Sequence, residues 1–287
     1  MKLRCGRVAR HWSCQLAVPL ALALGGLGMF TTLQRQLIYF PERASERALL
    51  AQAAAIGLQP WHGREGELIG WRSTPSGEAE RRMLVFHGNA GYALHRVYYA
   101  AGLAATRAGW DAYLFEYPGY GARAGEPSES SIGEAATRAL QGLLESDARP
   151  LYLTGESLGC GVASQLAASY PDAVQGLLLV TPFTRLGDVA AHHYPFLPVR
   201  VLLSERYDSV AALARYRGPV AFLLAGRDEV VPAALGRQLH DGYAGPKWLR
   251  IQPQAGHNSL DVSPRAPWWR EASEFLTALP ARRQGDS

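Results

Sequence analysis

Three short segments of this 287-residue chain carry residue types that together could perform acyl transfer: Gly155-Glu156-Ser157-Leu158-Gly159, Gly226-Arg227-Asp228 and Gly256-His257-Asn258. A serine hydroxyl is a weak nucleophile alone. It needs a base to take its proton and an acid to hold the tautomer of that base. Ser157, Asp228 and His257 supply these types, in the chain order that a nucleophile on a strand–turn–helix elbow requires. The pentapeptide alone is weak evidence, because in a chain with 30 glycines Gly-x-Ser-x-Gly arises by accident in roughly one of five or six cases. A fourth segment, His87-Gly88-Asn89-Ala90-Gly91, adds what the chemistry further demands. A tetrahedral intermediate gathers negative charge on the former carbonyl oxygen, and two backbone N–H groups must already point at it. The expected donors are the N–H of Leu158 and the N–H of Asn89.

Each assignment has rivals. The glycines around Ser157 would also serve close helix packing alone. Asp228 would also suit a loop carboxylate capping a helix that starts at Val231 or Pro232. Glu229 and Asp261 are alternative acids, although Glu229 faces that helix start and Asp261 lies too near His257 to have its own strand end. His87, His95, His192, His193 and His240 are alternative bases, yet only His257 combines a preceding glycine with a position just past a strand. No His, Cys or carboxylate cluster has metal-ligand spacing, so no metal or cofactor is expected.

The elements that would position these residues are legible as apolar runs alternating with helical stretches. Strands are expected over 66–72, 82–86, 112–117, 151–154, 176–181, 220–225 and 248–251, with helices near 94–107, 130–146, 158–169, 232–243 and 266–278. Several of the strands are continuously apolar, as strands covered on both faces are. The βαβα rhythm predicts an α/β fold with a mostly parallel sheet and helices on both sides. The chemical segments then fall just past strand ends, where open parallel sheets place their sites. The interval 182–218 is longer than one crossover helix needs, and its aromatic and apolar content, centred on "HHYPFLPVRVLL", predicts a small cap over the sheet edge.

Composition bounds the remaining possibilities. A length of 287 residues and a hydrophobic content of 48% suit one large domain with a full core. The net charge of +4 sits in Lys2, Arg4, Arg7 and Arg10, because the other basic residues match the 25 acidic ones. The remainder is neutral, which removes the electrostatic case for a nucleic-acid partner. From Trp12 to Leu33, "WSCQLAVPLALALGGLGMFTTL" would span about 33 Å as a helix, enough for a hydrocarbon core of about 30 Å. The strictly apolar part, 17–30, is shorter and signal-peptide-like, with "ALA" at 21–23 as a cleavage site. Continued apolarity past that site favours an uncleaved signal anchor, with secretion after cleavage as the alternative. The expected order is a basic cytoplasmic tip at 1–14, an anchor at 12–33, a juxtamembrane stretch at 34–65 with a short helix around 44–55, the main domain at 66–280 and a tail at 281–287. By the positive-inside rule the main domain lies on the extracytoplasmic side. Cys5, Cys14 and Cys160 build no disulfide framework, and Cys14 precedes the apolar run, wrongly placed for a lipoprotein site. No feature of the sequence fixes an oligomeric state.

The stretches "LIYFPE", "LVFHGNAG", "FEYPGYGARAGEPSE", "LTGESLGCGVA", "VTPFTRL", "HHYPFLPVRVLL", "GRDEVVP" and "GHN" cover the chain from about residue 37 to 260. Together they resemble α/β-hydrolases of the Bem46 type, the group that also contains abhydrolase-domain proteins 12, 13 and 17. The resemblance implies the α/β-hydrolase fold, a triad of Ser157, Asp228 and His257, an oxyanion hole of Asn89 and Leu158, and an N-terminal membrane segment. Tyr92 stands where many members have a second Asn, and Pro118 where an Arg is common. Both are expected to line the pocket, and Tyr92 and Tyr120 to bind substrate. The expected function is a membrane-anchored serine esterase acting on an apolar acyl ester, such as a lipid or lysolipid. A peptidase or thioesterase with the same triad, and a non-catalytic membrane-tethered binding protein of the same fold, are the other readings.

Overall fold

The computed structural model describes residues 31–74 and 79–278. The chain divides into two compact units, Met1–Ile38 and Tyr39–Ser287. Residues 31–38 are helical. The expected basic tip, nearly all of the expected anchor and the tail lie outside the described residues. Among the described residues no helix is long and apolar enough to cross a membrane.

The second unit is built on eight strands: β1 (Leu58–His62), β2 (Leu68–Ser73), β3 (Arg81–Phe86), β4 (Trp110–Phe115), β5 (Leu151–Glu156), β6 (Val174–Val180), β7 (Val220–Ala225) and β8 (Lys247–Gln252). Their order across the sheet is β1-β2-β4-β3-β5-β6-β7-β8. From β4 to β8 all neighbours are parallel, and only β2 runs against its neighbours β1 and β4. Every residue of β4, β6 and β7 is inside, including Asp111 on β4 and Gln175 on β6.

Helix α1 (Glu46–Ala55) packs on β1 at the edge of the sheet. On one face α2 (Val97–Ala105) packs against α9 (Trp268–Thr277). Their core gathers Trp71, Tyr99, Trp110, Trp268 and Trp269, with Tyr99 edge-on to Trp269 at 5.6 Å between centroids. On the other, α3 (Glu129–Ser146) packs on α4 (Leu158–Ser169), α4 on α7 (Ser209–Leu213), and α7 on α8 (Ala233–Gly242).

Two sequence expectations change. The main domain does not begin at residue 66: β1 is a strand of the sheet, and the compact unit starts at Tyr39. Strand β1, "LQPWH", is hard to read because it is an edge strand that contains a proline and buries only Leu58. The interval 182–218 is not all cap. Helices α5 (Leu186–His193) and α6 (Val199–Leu202) bury no residue, whereas α7 lays Ser209, Ala212 and Leu213 against the body.

Candidate active site

Strand β5 ends at Glu156 and α4 begins at Leu158, which leaves Ser157 as the whole turn. Its backbone stands at φ +51° and ψ −117°, a region that costs a non-glycine residue energy and recurs at functional turns. The turn is tight because the residues two positions away on either side, Gly155 and Gly159, have no side chains. A Cβ on Gly155 would stand 2.4 Å from the Gly159 carbonyl oxygen, and one on Gly159 would stand 2.2 Å from that of Phe86. The Ser157 N–H donates to Val180 O at 2.9 Å, and the residue is 8% exposed. The first N–H groups of a helix have no acceptor within it. Leu158 supplies the first of them in the 12-residue α4.

His257 and Asp228 meet past the ends of β8 and β7. Asp228 Oδ2 lies 2.8 Å from His257 Nδ1, and the carboxylate side chain is only 2% exposed. A carboxylate oxygen accepts, so Nδ1 carries the proton and Nε2 is left with its lone pair. The other oxygen, Oδ1, accepts from the N–H groups of Val230 at 2.9 Å and Val231 at 2.7 Å. Asp228 therefore both caps its turn and holds the imidazole. The rival acids are engaged elsewhere: Glu229 accepts the backbone N–H of His257 at 3.2 Å, and Asp261 accepts that of Ser263 at 3.0 Å. Among the described residues Ser157 has no hydrogen bond to His257; such contacts commonly tighten only when substrate binds.

The loop after β3 runs directly beside the serine, since a Cβ on Gly88 would lie 3.6 Å from Ser157 Cβ. Three side chains orient its peptides. Tyr117 donates to His87 O at 2.7 Å, Tyr120 donates to Asn89 O at 2.7 Å, and the His87 ring bonds Gly88 O through Nδ1 at 2.7 Å. In a planar trans peptide the N–H points opposite to the carbonyl. The bond to Gly88 O therefore turns the Asn89 N–H away from the buried imidazole. Behind that ring stands Glu116, with Oε1 3.4 Å from His87 Nε2. A further clamp comes from the start of the unit, where Phe40–Pro41 forms a short parallel pair with Ala90–Gly91 and the Phe40 N–H donates to Asn89 O at 2.8 Å.

This arrangement bears on the substrate contacts expected of Tyr120, Tyr92 and Pro118. Tyr120 is fully buried and holds the loop from beneath, so it does not line a pocket. Tyr92 stacks on His95 and donates to Gln52 on α1 at 3.2 Å. Pro118 lines a groove of about 900 Å³ near the turn between β1 and β2, which includes none of Ser157, Asp228 and His257. Among the other histidines, His193 bonds Val230 O at 2.8 Å and so ties α5 to the Asp228 turn; His240 sits against Asp241.

One group escaped sequence reasoning altogether. Glu156, next to the serine, accepts from Arg96 Nε at 3.1 Å and Nη2 at 2.9 Å, and from the Tyr98 hydroxyl. Burial, reinforced by Glu156, pushes the Tyr98 hydroxyl well above its ordinary pKa. These partners lie 60 and 58 residues from Glu156, and no local pattern announces them. Cys160 is buried with its Sγ on Gly155 O and Val180 O, and burial raises its thiol pKa strongly. Among the described residues no group of His, Cys, Asp and Glu could hold a metal ion.

A parallel sheet crossed by α4 at a strained serine, with an Asp–His pair past the neighbouring strand ends, defines an α/β-hydrolase, and residues 81–243 match the family of that fold. The chain belongs to the α/β-hydrolase family, among its Bem46 and ABHD-type members. It is 37% identical over 250 residues to the uncharacterized protein Rv2307c of Mycobacterium tuberculosis H37Rv, covering 84% of this chain and 87% of that one. Identity to Protein bem46 of Schizosaccharomyces pombe is 27%, over 74% of this chain and 76% of the other. Identity to the lysophosphatidylserine lipase ABHD12 of Danio rerio is 31%, over 67% of this chain but 59% of that protein. The esterase PF2001 of Pyrococcus furiosus shares the fold at a TM-score of 0.62 and 13% identity, covering 84% of this chain and 97% of that one.

Proposed function

We propose that this chain is a serine hydrolase of carboxylic esters. The observation that carries the reading is the 2.8 Å bond between His257 Nδ1 and Asp228 Oδ2, at the same sheet edge as the strained Ser157. Ser157 Oγ attacks the acyl carbonyl while His257 Nε2 takes its proton. The oxyanion is met by the N–H groups of Leu158 and Asn89. Collapse breaks the ester bond, and His257 returns the proton to the departing alcohol. Water, deprotonated by His257, then attacks the acyl-enzyme and releases the acid and the serine.

The cap carries a groove of about 430 Å³ whose lining mixes Ala191, Leu197, Val199 and Leu235 with Asp188, His192 and Arg200 and includes no triad residue; its apolar part offers room for an acyl chain. The names of relatives as a lysophosphatidylserine lipase and an esterase point the same way. A lysolipid or lipid ester is therefore the substrate class of this proposal. Residues 12–33 anchor the enzyme in a membrane with the catalytic unit on the extracytoplasmic side.

Replacing Ser157 with Ala removes both hydrolysis of short p-nitrophenyl esters and labelling by a fluorophosphonate. Labelling that survives in Ser157→Ala moves the nucleophile elsewhere. A purified full-length chain that cleaves only peptides or amides, and no acyl ester of any length, refutes the substrate class. N-terminal sequencing of the mature protein tests the uncleaved anchor, which fails if the chain begins after Ala23.

A further inference from the structure

The cap tip exposes a run of apolar surface. Tyr194, Phe196, Leu197, Val201 and Leu202 all remain exposed, Phe196 to 97% and Val201 to 78%. Scattered exposed apolar side chains are ordinary, but a contiguous group of them marks an interaction surface. The same segment carries no negative charge. Between Asp188 and Glu205 the only ionisable side chains are His192, His193, Tyr194 and Arg200. Arg200 is held at the base of the tip by Asp188 Oδ1 at 2.9 Å. An apolar face free of acidic side chains suits the boundary between acyl chains and headgroups.

The chain enters the second unit beside the cap. Tyr39, the first residue of the catalytic unit, is buried at the foot of the cap. Its hydroxyl donates to Glu205 at 2.6 Å and lies 2.9 Å from that of Tyr207. The next residue, Phe40, is bonded to Asn89 beside the serine and leaves its own ring 51% exposed. The chain therefore joins the unit at the end that holds both the cap and the active-site loop. The apolar stretch 12–33 ends a few residues upstream of that point.

We propose that the cap tip, residues 194–202, docks on the same bilayer that holds residues 12–33, with Phe196 and Val201 at the acyl boundary. The inference rests on the anchor proposed above, and it makes the lipid interface the direction from which an acyl substrate reaches Ser157.

The test uses the full chain with Cys5→Ser and Cys14→Ser, leaving Cys160 buried, and a polarity-sensitive dye on Phe196→Cys. Phe196 touches so little protein that its replacement opens no cavity. The control site is Asp172→Cys, exposed just before β6 at the opposite end of the sheet. In vesicles of phosphatidylcholine and phosphatidylglycerol, acyl-chain nitroxides should quench the dye at 196 at least about threefold more than at 172, and aqueous iodide should show the reverse. A chain that floats with the vesicles while iodide reaches residue 196 as freely as residue 172 overturns the docking alone. A chain that does not float overturns it together with the anchor. A dye at 196 shielded from both quenchers and crosslinked to a second copy assigns the patch to self-association, and overturns it too. No readout depends on hydrolysis, so failure of the Ser157 chemistry would register separately.

Discussion

Asp228 serves two purposes with two oxygens, and that division makes its role testable. Asparagine in its place can still accept the N–H groups of Val230 and Val231 at one atom. At the other it would present an amide N–H, which makes His257 Nδ1 an acceptor and so forces the imidazole into the wrong tautomer. Asp228→Asn should therefore fold with an unchanged melting temperature while kcat falls about 10³–10⁴-fold. His87 works at one remove, through the Gly88 carbonyl that it bonds at 2.7 Å. We expect His87→Ala to lower kcat about 10- to 100-fold with KM unchanged, because the Asn89 N–H matters only once charge develops on the substrate oxygen. His87→Asn, whose side-chain N–H can still reach Gly88 O, should recover part of the loss; if it does not, the role is only packing. At this scale the pairing of His257 with Asp228 was legible, because both stand in glycine-led segments just past apolar runs. The supports were not. Tyr117, Tyr120 and Glu116 reach His87 and Asn89 from about 30 residues away in sequence, and contacts at that separation leave no periodic trace. Tyr120 is the sharpest example, since its place in the Tyr-x-Gly-Tyr-Gly loop suggested a substrate contact and its burial makes it a brace.

The elements read from the sequence were those whose burial is uniform. Strands β5 to β7 sit between layers of helices and are dominated by apolar residues, whereas β1 lies at the edge with Pro60 facing outward and resembles a loop. The elbow between β5 and α4 tolerates little added volume. Gly159→Ala should cost about 1–3 kcal/mol in chemical denaturation, because the methyl group meets the backbone of β3 and not a movable side chain. At the end of α3, Asp147 bonds Arg149 and faces the buried Arg82. Hydrogen bonding from Arg149 holds the Asp147 carboxyl below its usual pKa. A carboxyl lowered in the folded state stabilises fully above its unfolded value of about 4 and loses that contribution as pH falls through the folded value. Urea midpoints measured from pH 6 downward, a window that brackets the ordinary carboxylate value of about 4, should therefore fall less steeply in Asp147→Asn than in the parent. Parallel slopes would place the acid sensitivity elsewhere.

Over the whole molecule, the strand ends that carry Ser157, Asp228 and His257 were easier to read from the sequence than the limits of the unit that contains them. Motifs cluster where strands end, but nothing in "LIYFPERASERALL" reveals that Tyr39 reaches Glu205 or that Phe40 pairs beside Asn89. A fragment starting at residue 66 lacks β1, α1 and the Phe40–Pro41 strand. It should give no cooperative unfolding transition, whereas one starting just before Tyr39 should melt cooperatively and hydrolyse soluble esters. The short pairing of Phe40–Pro41 with Ala90–Gly91 also bears on the fate of the protein under proteolysis. On the anchor proposed above, a protease that clips ahead of Tyr39 would shed a working enzyme into the surrounding fluid. A cut just beyond Pro41 would let the same strand drift from the active-site loop and silence it, so the position of the cut decides between release and inactivation.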